Sequence, residues 1–516
     1  MSKGDTTSRL DTTGHIALKF YGDQGRVFST SHDSVGTFWS NDYNLDTFQT
    51  KLRGNMAFLD EGGEFYYDST SGKLYYIPTA DQSMSDITFG VPTLETLFSL
   101  ENVHDISFEN ITFTGTDAKY LYEYGYTGGQ AGSQKREFEE EGYFVREAAI
   151  LGKDVSGITV SGCSFEELFF HGVHMYGLVD RIVIDSNHFV NIGGGAVHMG
   201  SGTYEADDHN TNLTITNNYL HEIGMYYMNN CAITLTNVRN ADVLYNTIID
   251  CAYTGISLGW GWMPVEYYPD ADEFNVDNAE VAYNYIENSM YFTFDGAPIY
   301  TLGGNANRSY EGYLNFIHHN YLYMASKSGH VVARTLSCAI YHDGASTHWH
   351  DYNNVVWVDR NNMPGYCMIA MQGSPAQPAD HYFQTWYILA ENNYYVNLYE
   401  KFFTCSYKSV RKDAHNREVN SYMLTLLSPT QFDTYYRNLE GLWQLVNKDP
   451  ANWDSFANSG KTDDMNAIIT NAGCDLDGGI HKNAAFENIN DYNYRLLTED
   501  ETWWSAEEEN PNFADE

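Results

Sequence analysis

The sequence predicts an all-β chain, a right-handed parallel β-helix preceded by a small β-rich, sandwich-like element. Three observations carry this. Short alternating blocks recur along the middle of the chain, an Asn recurs at one place in them, and a second strand in common register follows each bend.

The blocks align with apolar residues at the first, third and eighth places. They are "ISFENITF" from Ile106, "ITVSGCSF" from Ile158, "IVIDSNHF" from Ile182, "LTITNNYL" from Leu213 and "ADVLYNTI" from Ala241. "AEVAYNYI" from Ala279, "NFIHHNYL" from Asn315, "WHDYNNVV" from Trp349 and "ILAENNYY" from Ile388 continue the series. The sixth place is Asn in the last seven: Asn187, Asn218, Asn246, Asn284, Asn320, Asn354 and Asn393. A helical solenoid of similar period would place apolar residues at i, i+3, i+4, i+7 over ten or more positions. Here alternation lasts three or four places and then turns at Asn, which tolerates left-handed backbone. Asn stacked at equivalent bends can hydrogen-bond along the stack. About nine coils are expected, with these Asn in one column.

The second strands are "HGVHMYG" (171–177), "GAVHMGS" (195–201), "CAITLTN" (231–237), "TGISLGW" (254–260), "APIYTLG" (297–303) and "CAIYHDG" (338–344). One register points Val173, Val197, Ile233, Ile256, Ile299 and Ile340 inward. Alternation then points His174, His198, Thr234, Ser257, Tyr300 and Tyr341 outward. A column this polar and aromatic reads as the floor of a binding groove.

Around the coils the pattern changes. "GEFYYDSTSGKLYYIP" (63–78) reads as a hairpin turning at Ser71-Gly72, so 1–95 is expected to form the N-terminal β-rich element and 96–400 the β-helix. A Gly- and Glu-rich loop interrupts the first coils over 117–146. Residues 401–505 lose the repeat, with helical spacing in "SPTQFDTYYRNLEGLWQLV" (428–446), and the acidic tail 506–516 is expected to be disordered.

The net charge of −41 disfavours nucleic acid and anionic membrane as partners, because both need clustered Lys and Arg. No apolar run is long enough for a transmembrane helix. "MSKGDTTSRL" has no signal-peptide core, so the chain is either cytosolic or lacks a leader; a glycan substrate favours an extracellular or cell-surface location. The 7 Cys show no CxxC or zinc spacing and read as buried thiols, with one or more disulfides of undetermined pairing as the alternative. No metal or cofactor is expected, and the chain is expected to be a monomer.

A long groove on a parallel sheet suits a polysaccharide or oligosaccharide. Glycoside hydrolysis needs two carboxyl groups flanking the bond, held in different protonation states. Asp343 follows one groove strand with outward parity, and Asp295 precedes the strand of the adjacent coil. On a straight strand their columns would lie about 23 Å apart. They can serve one sugar only if the chain bends at Gly296-Ala297-Pro298. Trp260 and Trp262, in "GWGW", leave a strand end beside this place and offer broad faces to a sugar ring.

"YTGISLGWGW" (253–262), "DGAPIYTLGG" (295–304), "AIYHDGAS" (339–346), "GYTGGQAG" (125–132) and the "GEFYYD…GKLYYIP" hairpin, in this order, resemble the β-helix glycosidases of glycoside hydrolase family 141, within the pectin-lyase-like superfamily. The resemblance covers roughly residues 55–395. It implies fucosidase- or xylanase-like activity on a neutral plant or algal glycan, with Asp295 and Asp343 as the catalytic pair. The expected substrate-binding residues are Trp260, Trp262, Tyr300, Tyr341, His342 and His198. The chain departs from the family pattern in three places. Gly344 stands where Glu usually follows the second Asp, Ala297-Pro298 replaces Gly-Gly, and "CMIAMQGS" (367–374) replaces a His-rich stretch. Two alternatives stay open: a non-catalytic carbohydrate-binding β-helix, and a polysaccharide lyase. The lyase would need carboxylates on adjacent coils for calcium and a basic residue, for which Arg334 is the nearest in sequence.

Overall fold

A computed structural model of the chain describes residues 56–68, 70–117, 147–200, 209–260, 275–291, 296–305, 312–324 and 339–358, with short strands outside these ranges. Its centre is a parallel β-helix of three sheets, each ten-stranded. Every strand pairs in parallel with the strands of the coils below and above it. Each coil contributes one strand to sheet A, one to sheet B and one to sheet C. The third coil, for example, is His171–Tyr176, Leu178–Asp185 and His188–Ile192.

The register follows the sequence alignment. Val173, Val197, Ile233, Ile256, Ile299 and Ile340 stack as one inward column of sheet A. Phe113, Phe165 and Phe189 stack face to face inside sheet C, with centroids 4.6 and 4.5 Å apart. These columns form one continuous apolar core, which grows with each added coil, as in any solenoid.

Two residues separate the sheet B strand from the sheet C strand in every coil. In coils three to nine the second of them is the ladder Asn; coils one, two and ten have Ile111, Cys163 and Ser421 there. Asn218 Nδ2 donates to Asn246 Oδ1 (2.9 Å) and to the Ile184 carbonyl (2.8 Å), and its own Oδ1 accepts from Asn187. The same pattern runs up to Asn393. One detail differs from expectation. The left-handed residue is the one before the ladder Asn, such as Ser186 (φ 56°), Tyr245 (φ 57°) or Tyr283 (φ 57°). The ladder position therefore selects Asn for its donor and acceptor, which saturate buried backbone groups at the bend, and not for its backbone freedom.

Among the described residues there are ten coils, against the expected number of about nine. The tenth, with Arg417–Val419 and Tyr422–Leu424, escaped the pattern because its first, third and sixth places are Asn416, Glu418 and Ser421.

The expected hairpin is present, pairing Phe65–Asp68 with Lys73–Tyr76 in antiparallel register. Asp68 accepts the Thr70 N–H (3.0 Å) across the turn, and Gly72 supplies the left-handed backbone (φ 66°) that the turn requires. Most of the 117–146 loop lies outside the described residues, as do the 428–446 segment and the acidic tail.

Candidate active site

Sheet A carries the site. Its outward column is His174, His198, Thr234, Ser257, Tyr300 and Tyr341, as alternation requires. The column is nevertheless buried: none of the six is more than 6% exposed. Alternation fixes which way a side chain points but not what lies over it. Several connections at the ends of sheet A are long, such as those from Met199 to His209, Leu258 to Val276 and Thr301 to Asn315, and long connections can overlie the face they flank.

Asp343 sits at the upper end of this column, 5% exposed. The Tyr300 hydroxyl from the coil below donates to its Oδ2. Its N–H donates to the Thr301 carbonyl (2.8 Å), and its own carbonyl accepts the Ser346 N–H (2.9 Å). The Tyr341 ring packs edge-on against Tyr300, with centroids 5.0 Å apart. The strand end thus holds one carboxylate, donated to by a phenol and walled by a second ring.

Asp295 and Trp262 lie outside the described residues. The residue after Asp295, Gly296, is pressed against the coil below. A Cβ there would meet the Tyr253 ring at 2.7 Å and Met290 at 2.9 Å, so glycine is required by close approach. The Pro298 carbonyl accepts the Ile256 N–H (2.9 Å), which ties this stretch to the strand of coil six. Trp260 is half-buried. Asn275 pins its backbone from both sides, accepting its N–H (3.1 Å) and donating to its carbonyl (2.7 Å).

His342 does not belong to the outer face. It pairs with Thr301 in the inward register and is fully enclosed. Its Nδ1 bonds Thr301 Oγ1 (2.7 Å) and its Nε2 bonds Asp351 Oδ2 (2.6 Å). As an enclosed residue on the inward side it cannot touch a ligand on the outer face, which corrects the expectation of substrate contact. Parity alone carried this signal, since His342 lies two residues after the inward Ile340.

His198 is on the outer column, three coils below Tyr300. Its ring packs 4.5 Å from His174 and 5.0 Å from His171. Burial pushes its pKa down to about 4 because a charged imidazole loses hydration there. His171 is lowered too, first by burial and then by His198. Its Nδ1 accepts the Gly195 N–H (2.9 Å). His171 and His198 are therefore neutral at pH 7. Among the described residues no group of three or more His, Cys, Asp or Glu is arranged to hold a metal ion. Cys163, Cys231 and Cys251 are buried free thiols.

No family model matches the chain, and no curated protein matches it. Among solved structures, a protein described as a glycoside hydrolase is similar with a TM-score of 0.52 and 20% identity, over 75% of this chain and 61% of that one. The chain thus spans about three fifths of that protein's length, and at this identity the likeness is one of fold. A tailspike protein mutant of E. coli bacteriophage HK620 in complex with a pentasaccharide is similar with a TM-score of 0.35 and 12% identity, over 63% of this chain and 47% of that one. A PL6 family polysaccharide lyase from Pseudopedobacter saltans is similar with a TM-score of 0.27 and 12% identity, over 64% of this chain and 81% of that one.

Proposed function

We propose that the protein is a carbohydrate-active β-helix enzyme, a glycoside hydrolase that cleaves a neutral glycan on the outer side of sheet A with Asp343 and Asp295. The observation that carries this reading is the Asp343 carboxylate at the end of an outward column, with the Tyr300 hydroxyl donating to it. Asp343 and Asp295 supply the two carboxyl roles between them, one as the acid that protonates the leaving oxygen and the other as nucleophile or base. Burial of the site serves the same chemistry, because charges act more strongly where water is excluded. The resemblance to family 141 supports fucosides and xylosides as first substrates.

The test is a screen of aryl fucosides, aryl xylosides and plant or algal polysaccharides, followed by Asp343→Asn and Asp295→Asn on the best substrate. Each variant should lose at least about a hundredfold in kcat while folding normally. The two carboxyl groups should lie roughly 5 to 10 Å apart in an experimental structure. If both variants keep most of the rate, the assignment is wrong.

A second reading is a non-catalytic carbohydrate-binding β-helix. Gly344, where the resembling family has Glu, favours it. Oligosaccharide binding by calorimetry without turnover of any glycoside decides for this reading.

A further inference from the structure

Two inward columns of the β-helix that are apolar over most coils turn polar near the candidate site. In sheet B the third place of the block reads Phe108, Val160, Ile184, Ile215, Val243, Val281 and Ile317, then Asp351, then Ala390. The inward column of sheet A two residues beyond the Val and Ile ladder reads Met175, Met199, Leu235 and Leu258, then Thr301 and His342, then Met371. The sheet A column turns polar in coils seven and eight and the sheet B column in coil eight, and these are the coils that carry Tyr300 and Asp343.

The polar residues form one chain. Ser346 Oγ bonds Thr301 Oγ1 (2.6 Å), Thr301 Oγ1 bonds His342 Nδ1 (2.7 Å), and His342 Nε2 bonds Asp351 Oδ2 (2.6 Å). All four residues are 0% exposed. A buried carboxylate–imidazole pair gives up hydration that the interaction scarcely returns, and an apolar filling is commonly as stable or more so. Stability therefore does not explain these residues.

Their position does. His342 immediately precedes Asp343, and Ser346 closes the turn that Asp343 opens. Both reach inward to the same Thr301 hydroxyl. The Thr301 carbonyl also accepts the Asp343 N–H, and the Gly303 N–H donates to the Gly344 carbonyl (3.1 Å). The turn is thus anchored on both sides to the strand that carries Tyr300. We infer that Thr301, His342, Ser346 and Asp351 form an internal clamp that sets the Asp343 carboxylate against the Tyr300 hydroxyl. They are positioning residues, screened from any ligand by the strands themselves. The inference rests on the proposed role of Asp343.

The deciding experiment uses the full chain. The variant Thr301→Val/His342→Met/Asp351→Val restores both apolar columns. The clamp predicts that it folds with a urea midpoint no lower than wild type. It also predicts that kcat falls about tenfold or more with KM little changed, and that a crystal structure shows the Tyr300–Asp343 hydrogen bond lost. If the variant keeps that bond and the wild-type kcat, the inference is overturned. Should the triple variant fail to fold, Thr301→Val and Thr301→Ser decide. Valine removes the linking hydroxyl at nearly constant shape, and serine restores it. Loss of the Tyr300–Asp343 bond in valine with recovery in serine supports the clamp; its retention in valine refutes it. If the wild type turns over no glycoside, the functional reading falls, while the crystallographic comparison still decides the clamp.

Discussion

Tyr300 offers the sharpest single-residue test of the site. Its hydroxyl donates to Asp343, and both groups are buried. Tyr300→Phe keeps the ring against Tyr341 and leaves a buried carboxylate oxygen without that donor. A hydrogen bond to a charged group contributes about 1.5 to 3 kcal/mol. kcat on the substrate found by screening should therefore drop roughly tenfold to a hundredfold, with circular dichroism unchanged. An unaltered kcat would remove Tyr300 from the mechanism. The placement of Tyr300 and Asp343 on the outer side of sheet A was legible in the sequence because strand parity and a turn are local properties. Asp351 was legible in principle, being the one acid at the third place of nine blocks. His342 was misjudged because its neighbours on either side point outward. Burial of the whole column was not legible, since alternation reports which way a side chain points and not what lies over it.

Histidines give a second prediction at this scale. His198, His318 and His319 are each held down to about 4 against an ordinary value of 6.5, mainly by burial. Glu280 accepts the His318 Nε2–H at 2.8 Å, which favours charge, but burial together with the adjacent His350 outweighs it. The folded state thus refuses protons that the unfolded state takes up below about pH 6.5. Stability rises with pH wherever the unfolded state binds more protons. The contribution is complete above the ordinary histidine value and is lost as pH falls from about 6.5 toward 4. Urea midpoints should decline over that window, and His198→Gln should flatten part of the decline. A midpoint that does not change between about pH 7 and pH 5 contradicts it.

Among elements, the Asn column is the one the sequence displayed most openly, because seven copies of one residue at one place leave few readings. Its mechanism needed the coordinates. Asn246 donates from Nδ2 to the Ile215 carbonyl (2.9 Å) and to Asn284 Oδ1 (3.0 Å), and its Oδ1 accepts from Asn218 Nδ2 (2.9 Å) and N–H (3.1 Å). Asn246→Ala strands several of these partners in a site with no access to water. Each buried group left without a partner costs about 1 to 3 kcal/mol. The variant should lose roughly 3 kcal/mol or more in urea denaturation. Asn246→Asp should also destabilise, since a carboxylate accepts but cannot donate to the Ile215 carbonyl. A loss near zero in both variants would show the ladder to be decorative. The tenth coil marks the limit of such reading. There the ladder place holds Ser421, and the tenth coil is recognised by the pairing of its strands with those of the ninth.

For the whole molecule, the decisive property is that the strands of each coil pair only with those of its neighbours. Strand pairing in all three sheets joins consecutive coils and no others. Stability is then close to a sum of coil terms and nearest-neighbour terms, and coupling between substitutions should follow coil separation. Asn218 and Asn246 lie in adjacent coils and share two hydrogen bonds. Either substitution to Ala already removes the shared bonds, so the double variant should lose less than the sum of the singles, with an interaction energy of about 0.5 to 3 kcal/mol. Asn218 and Asn354 sit in the fourth and eighth coils, about 19 Å apart at the usual strand spacing. They share no bond, because Asn354 pairs with Asn320 and Asn393. That double variant should add to within about 0.5 kcal/mol. Two double-mutant cycles in urea, run with the same single variants, make the comparison directly. If the distant pair couples as strongly as the adjacent pair, the molecule unfolds as one undivided unit, and coil-by-coil accounting of its stability does not hold.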